Sequence, residues 1–196
     1  MPFRCHALDS QRVIDIQPAV QHPLWFVCSN NECTFLTSTI RLVMSTRIIT
    51  TPIGYCLVAA APFVKGDTIL NITGVQTPVK DRYSIQLAVD THLMPFDADT
   101  VEAQAEQCPW MFTNHSCDPN VVIRDQMFIA LRSIEPDEAI TFDYETTEWE
   151  MAEPFQCACG AESCRGEIRG YTYLDSSERE RLIEQTASHL RDLIQP

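Results

Sequence analysis

Apolar and polar residues alternate in short stretches along most of this chain and shift to a helical spacing only near its end. Residues 53–60 lead through Pro62 to a turn at Lys65-Gly66-Asp67, and residues 68–74 follow, which predicts strand, turn, strand. Residues 82–89 alternate strictly, predicting a strand with Tyr83, Ile85, Leu87 and Val89 on one face. Residues 121–124 and 127–131, joined at Asp125-Gln126, read as two more strands; residues 135–138 form a turn and residues 139–142 another short strand. Upstream, residues 24–28 predict a short strand, residues 29–32 a turn, and the β-branched stretch 34–51 further strands. Pro2, Pro18 and Pro23 punctuate a loop or irregular arm over residues 1–24, and the polar residues 97–107 predict a short helix or a loose insert. At the end, Asp175-Ser176-Ser177 predicts the cap of a helix starting near Glu178. Its Leu182, Ile183, Thr186, Leu190, Leu193 and Ile194 fall on one face. That stripe predicts packing on the domain in a monomer; a dimer seam is the less favoured alternative. The fold class is therefore mostly β.

The 196 residues suffice for one domain with a sizeable core, or one domain plus a small appendage. No apolar run approaches the ~18 residues of a membrane span, so no membrane association is expected. No basic start leads into an apolar stretch, which predicts no secretory leader and an intracellular setting, cytoplasmic or nuclear. The formal charge of −13 argues against direct nucleic-acid binding through a basic surface. It suits a cationic partner such as a lysine-rich peptide, or serves solubility alone. Nine cysteines without a leader argue against a complete disulfide framework and leave buried thiols and a metal site.

Two stretches concentrate chemistry. Thr113-Asn114-His115-Ser116-Cys117-Asp118-Pro119-Asn120 carries two amides, an imidazole, two hydroxyls, a thiol and a carboxylate between apolar neighbours. Its turn formers, with Pro119 holding Asp118 out of the helical region, predict a tight polar loop. Cys157, Cys159 and Cys164 follow the pattern C-x-C-x4-C. Zinc takes four tetrahedral ligands, often all sulfur in structural sites. The fourth is open among Cys5, Cys28, Cys33, Cys56, Cys108 and Cys117, with Cys117 favoured by its place in the polar loop; clustered free thiols are the alternative.

In this order, the polar loop, Phe142-Asp143-Tyr144-Glu145 and Cys157-Ala158-Cys159-Gly160 with Cys164-Arg165-Gly166 resemble the SET-domain protein lysine methyltransferases that carry a cysteine-rich post-SET tail. The resemblance runs from about residue 53 to about residue 174. It implies a SET domain over 51–146, an N-terminal arm and flanking strands over 1–50, a post-SET zinc segment over 147–172 and a C-terminal helix over 173–196. It implies small curved sheets, with the polar loop and the Tyr144 segment meeting in a knot-like crossing. S-adenosylmethionine is the implied cofactor, bordered by Gly54 and Tyr55 and contacted by Asn114, His115 and Tyr144. Tyr144 is the implied catalytic residue, and Cys117 the implied fourth ligand of Zn2+ beside Cys157, Cys159 and Cys164. Three positions depart from the family. Cys56 stands where a second glycine is usual, Met111 where many members have Arg, and Ile72 where many lysine-specific members have Tyr. The last implies a more apolar substrate channel at Ile72, with Tyr83 as the hydroxyl that compensates. The expected activity is methyl transfer to a lysine-containing protein or peptide. The alternatives are a SET-fold enzyme acting on a small-molecule metabolite and a non-catalytic, zinc-stabilised interaction module.

Overall fold

The structure, a computed structural model, describes residues 13–14, 28–29, 32–33, 45–52 and 54–194. The expected arm over residues 1–24 and the strand at residues 24–28 lie largely outside them. Within the first, Val13–Ile14 is a strand, not loop, and pairs antiparallel with Ile48 and Ile49. Cys28–Ser29 and Glu32–Cys33 flank the expected turn as an antiparallel pair.

Three small sheets surround one core. Thr46–Thr51 pairs in full register with Gly54–Ala59, from Thr46 opposite Ala59 to Thr51 opposite Gly54. Met127–Ala130 lies between Val121–Arg124 and Thr68–Asn71. Thr91–Met94 lies between Val75–Thr77 and Ile85–Ala88. The Val121–Met127 hairpin closes with both central residues, Asp125 (φ 47°) and Gln126 (φ 59°), in the left-handed region that right-twisted two-residue hairpins require. Leu57, Phe128, Ile134 and Ile140 are fully buried where the sheets meet. Between Thr91–Met94 and the polar loop, Val101–Gln107 is helical, capped by Thr100 Oγ1 accepting the Ala103 N–H.

A fourth pairing sets the site. Asn114–His115 runs parallel to Thr141–Phe142, with Asn114 opposite Thr141 and His115 opposite Phe142. The polar loop and the segment leading to Tyr144 therefore lie side by side. Phe155–Gln156 and Glu167–Ile168 then form the antiparallel frame of the cysteine-rich tail.

Two expectations are corrected. Along residues 82–89 Ile85 is buried, but Tyr83 and Val89 are exposed and the polar Gln86 is buried. The register shifts between Gln86 and Ala88, and the Gln86 amide is held internally: Oε1 accepts the Trp149 N–H and Nε2 donates to Ala88 O. The C-terminal helix is two helices, Ser176–Leu182 and Ser188–Ile194. Asp175 and Glu178 form a capping box at the start, as the cap pattern predicts. The break comes where the Ala187 N–H leaves the helical ladder and donates to Thr146 O. Leu182, Thr186 and Leu190 are buried, with Tyr171, Leu174 and Trp149 packed against the two leucines, whereas Ile183 and Leu193 are exposed.

Candidate active site

A cavity of about 720 Å³ opens where the first sheet, the parallel pair and the tail meet. Gly54 and Tyr55 border one side, Phe112 to His115 the back, Tyr144 the floor, and Phe155 with Cys157 to Cys159 the tail side. Tyr83 and Met111 also line it. Gly54 sits at φ 131°, and a Cβ built there would meet nothing within 4 Å, so bare backbone faces the open space. Cys56, which replaces the usual second glycine, turns the other way: it is fully buried against Ile49 and Val58 and does not line the cavity. Ile72 is not at the cavity either. It is 2% exposed, part of the main core and absent from the lining, so of the two residues expected in the channel only Tyr83 reaches it.

Backbone and side chains tie the site together. Asn114 Nδ2 donates to Tyr55 O at 3.2 Å, joining the polar loop to the first sheet. The Tyr144 hydroxyl donates to Thr113 O at 2.8 Å, and Phe142, His115 and Phe155 surround its ring. Burial pushes the Tyr144 phenol well above its usual range, so it remains a protonated donor. His115 is buried and used at both nitrogens. Nδ1 accepts the Tyr144 N–H at 3.2 Å, which leaves the proton on Nε2, 3.3 Å from Cys117 Sγ. Burial, with Arg165 nearby, lowers its pKa to about 3, so the ring is neutral. His115 thus links the loop, the catalytic candidate and the cysteine cluster. Thr113 Oγ1 is a buried hydroxyl with no hydrogen-bond partner at the back of the cavity.

The sulfurs of Cys117, Cys157, Cys159 and Cys164 all lie within 4.8 Å of one another, and those of Cys117 and Cys157 are 4.0 Å apart. A tetrahedral zinc–thiolate centre, with bonds of about 2.3 Å, places its sulfurs about 3.8 Å apart, so the donor set fits that ion. Of the alternatives for the fourth sulfur, Cys108 lies elsewhere, donating to Thr73 O, and Cys56 is in the core.

Three residues quoted among the motifs but given no role from the sequence hold the tail to the body. The Arg165 side chain is 5% exposed; its Nη2 donates to Asp143 at 2.6 Å and its Nε to Glu145 at 2.7 Å. Glu145 also accepts the Arg169 and Gly170 N–H groups at 3.0 and 2.9 Å. The two acids flank Tyr144 and raise the pKa of Arg165, keeping it charged. The clue in the sequence is an arginine directly after the last cysteine and two acids bracketing a tyrosine, a pattern without meaning until the tail is folded back.

Glu148 is another residue given no role from the sequence. It is 6% exposed and lines the cavity. Its Oε1 accepts the Gln86 N–H at 2.7 Å and the Thr147 hydroxyl at 3.4 Å. Burial raises its pKa from 4.5 to about 7. Between those two values the folded state keeps a proton that the unfolded chain releases, so the native state loses stability as pH rises through this window. Glu148→Gln is therefore expected to gain stability over the parent at pH 8, by on the order of 3 kcal/mol, and to gain little at pH 4. Urea melts at the two pH values check this, and an equal difference at both would refute it.

Comparison with known proteins fits this geometry. The SET domain family model matches residues 54–145. Residues 54–145 are thus similar to the SET domain. The match runs from Gly54–Ala59, the last strand of the first sheet, through the polar loop to the Tyr144 segment. The chain is 32% identical to "Methyltransferase flvH" of Aspergillus flavus over 88 residues, covering 43% of this chain and 48% of flvH. It is 28% identical to the histone-lysine N-methyltransferase ash1 of Drosophila melanogaster over 138 residues, covering 63% of this chain and 6% of ash1. The chain therefore spans about half the length of the first relative and a small part of the second. Among solved structures, CpSET8 from Cryptosporidium is 24% identical, with a TM-score of 0.40, covering 50% of this chain and 56% of that one.

Proposed function

We propose that this chain is an S-adenosylmethionine-dependent N-methyltransferase whose acceptor is a lysine side chain of a protein or peptide. The observation that carries the reading is one cavity bordered by open backbone at Gly54, by Asn114 and His115, and by a half-buried, protonated Tyr144. The SET domain and the methyltransferase names of its relatives support the reaction class. Bound there, S-adenosylmethionine supplies an electrophilic methyl group on a sulfonium. The chain's own groups suit that cation: carbonyl oxygens such as Thr113 O, a tyrosine hydroxyl and the aromatic faces of Tyr55, Phe112 and Phe155. Asn114 and the Gly54–Tyr55 backbone are assigned to the amino-acid end of the cofactor. Methyl transfer to an amine is a displacement that needs alignment and exclusion of water more than a strong base. Tyr144, with its proton committed to Thr113 O, keeps oxygen lone pairs to hold a polarised methyl group in line. The cavity lining carries Asp81, Asp99, Glu148 and Glu153 against Arg82, a balance that favours a cationic acceptor.

Radiolabelled methyl transfer to histones, lysine peptides and a lysate split into protein and small-molecule fractions tests the reading. Label is expected in protein. Label confined to small molecules would replace the lysine acceptor with a metabolite, and no label in any fraction would refute a transferase.

We also assign zinc to the four-cysteine cluster, held by Cys117, Cys157, Cys159 and Cys164. Elemental analysis of reduced, unchelated protein is expected to give one zinc per chain. Cys159→Ser is expected to release it and to weaken S-adenosylhomocysteine binding, because Phe155 and residues 157–159 form one wall of the cavity. Protein without zinc that binds the cofactor product normally would overturn the assignment.

A further inference from the structure

Glu148 is a buried carboxylate with no ion-pair partner among the described residues. Lys80, whose charge acts to lower its pKa, instead donates to Glu150 O at 3.2 Å. Both of its hydrogen bonds go to Oε1, from the Gln86 N–H and the Thr147 hydroxyl. Oε2 accepts none among the described residues, yet it is not sealed in the interior as the orphaned Asp143 Oδ2 is. Glu148 lines the cavity, and Oε2 is its oxygen without a hydrogen bond among the described residues. A carboxylate desolvated to this degree ordinarily has a charged partner. Here the fold supplies a rigid backbone donor on one oxygen and leaves the other for something that enters the cavity. The same cavity is lined by the aromatic residues Tyr83, Tyr144 and Phe155, and aromatic rings tolerate a cation while shedding its water.

We propose that Glu148 is a specificity-determining residue of the cavity, its Oε2 accepting an N–H from an alkylammonium group of the substrate. This rests on the reading of the site as an N-methyltransferase and names a group that selects the amine. A charge-assisted hydrogen bond to a carboxylate in a dry site is among the stronger polar contacts a protein makes. It also discriminates: an uncharged isostere leaves the carboxylate as unsatisfied as before. The raised pKa of the unliganded carboxyl agrees with a partner still to arrive. Glu148 follows Tyr144 by one turn, with its N–H donating to Tyr144 O at 3.0 Å, so an amine held by Glu148 is fixed relative to the catalytic candidate.

The test uses the full chain with zinc at pH 8. Butylammonium chloride and, separately, uncharged 1-butanol are titrated while the side-chain carboxyl 13C resonance of Glu148 is followed, assigned by its loss in E148Q. If E148Q does not fold, E148D provides the assignment. A saturable shift with butylammonium and none with butanol is expected, as is affinity for butylammonium at least about tenfold weaker in E148Q. No shift, or the same shift with butanol, overturns the proposal. S-adenosylhomocysteine affinity, measured by calorimetry in parallel, is expected to agree within about twofold between E148Q and the parent. A folded E148Q that loses it about tenfold or more places Glu148 on the cofactor side and overturns the proposal too. A parent protein that binds no S-adenosylhomocysteine refutes the methyltransferase reading, while the 13C titration still decides the ammonium site.

Discussion

Arg165→Met is expected to cost about 3–5 kcal/mol of stability, the usual result of removing one member of a buried ion pair. Methionine fills much of the same space but leaves the Asp143 and Glu145 carboxylates facing each other without the guanidinium that binds both. Asp143 is fully buried and Glu145 nearly so, so water cannot replace the lost charge. The loss has a second, local consequence. Asp143 and Glu145 flank Tyr144, and Arg165 follows a cysteine of the tail cluster, so the variant loosens the tail from the segment that carries the tyrosine. Urea denaturation measures the first effect and S-adenosylhomocysteine affinity the second; both are expected to fall. The triple variant Arg165→Met, Asp143→Asn, Glu145→Gln is expected to recover much of the stability, because no uncompensated charge is left. A single variant within about 1 kcal/mol of the parent would mean that the triad is only incidental.

Tyr144→Phe is expected to lower kcat by about 10²-fold or more while leaving S-adenosylhomocysteine affinity nearly unchanged. The change removes one hydroxyl and almost no volume, and the ring packing against His115, Phe142 and Phe155 remains. What disappears is the oxygen that Thr113 O orients through a 2.8 Å hydrogen bond. An interaction made mainly in the transition state shows up in kcat, whereas one made equally in the ground state shows up in KM. Near-normal turnover by the Phe variant on a lysine peptide would remove Tyr144 from the chemistry and favour a substrate held by apolar packing.

Much of the fold was legible because its strands are short, bounded by turn residues and patterned by burial. The Asp125-Gln126 hairpin and the capping box at Asp175 follow from local chemistry alone. Local pattern misled where distant partners decide. Gln86 looks like the solvent face of a strand, but its amide is occupied by Trp149, far along the chain. The apolar stripe of residues 182–194 looks like one helix, but Thr146 O draws the Ala187 N–H out of the ladder and splits it. At the site, the C-x-C-x4-C spacing marked three of the clustered sulfurs without any fold, and the resemblance marked Cys117 beside them. Ile72 was placed in a channel by analogy with a family position, whereas the structure puts it in the core. The roles of Arg165 and Glu148 were invisible because they depend entirely on the residues the fold brings to them.

The parallel pairing of Asn114–His115 with Thr141–Phe142 bears on how the protein comes into being. Nothing local can form it: a long stretch of chain must first loop back, and that entropy is lost before any contact repays it. The Gln86–Trp149 bond and the sulfur cluster ask for still wider closures. A topology of this kind belongs among slowly folding domains, those that take milliseconds to seconds. During synthesis, a ribosome must have released the chain beyond its last clustered cysteine before the cavity has all its walls. Until then the aromatic faces that later enclose a ligand stay open to water and to other nascent chains. Expression yield should thus depend more on synthesis rate and temperature than the final stability of the domain would indicate.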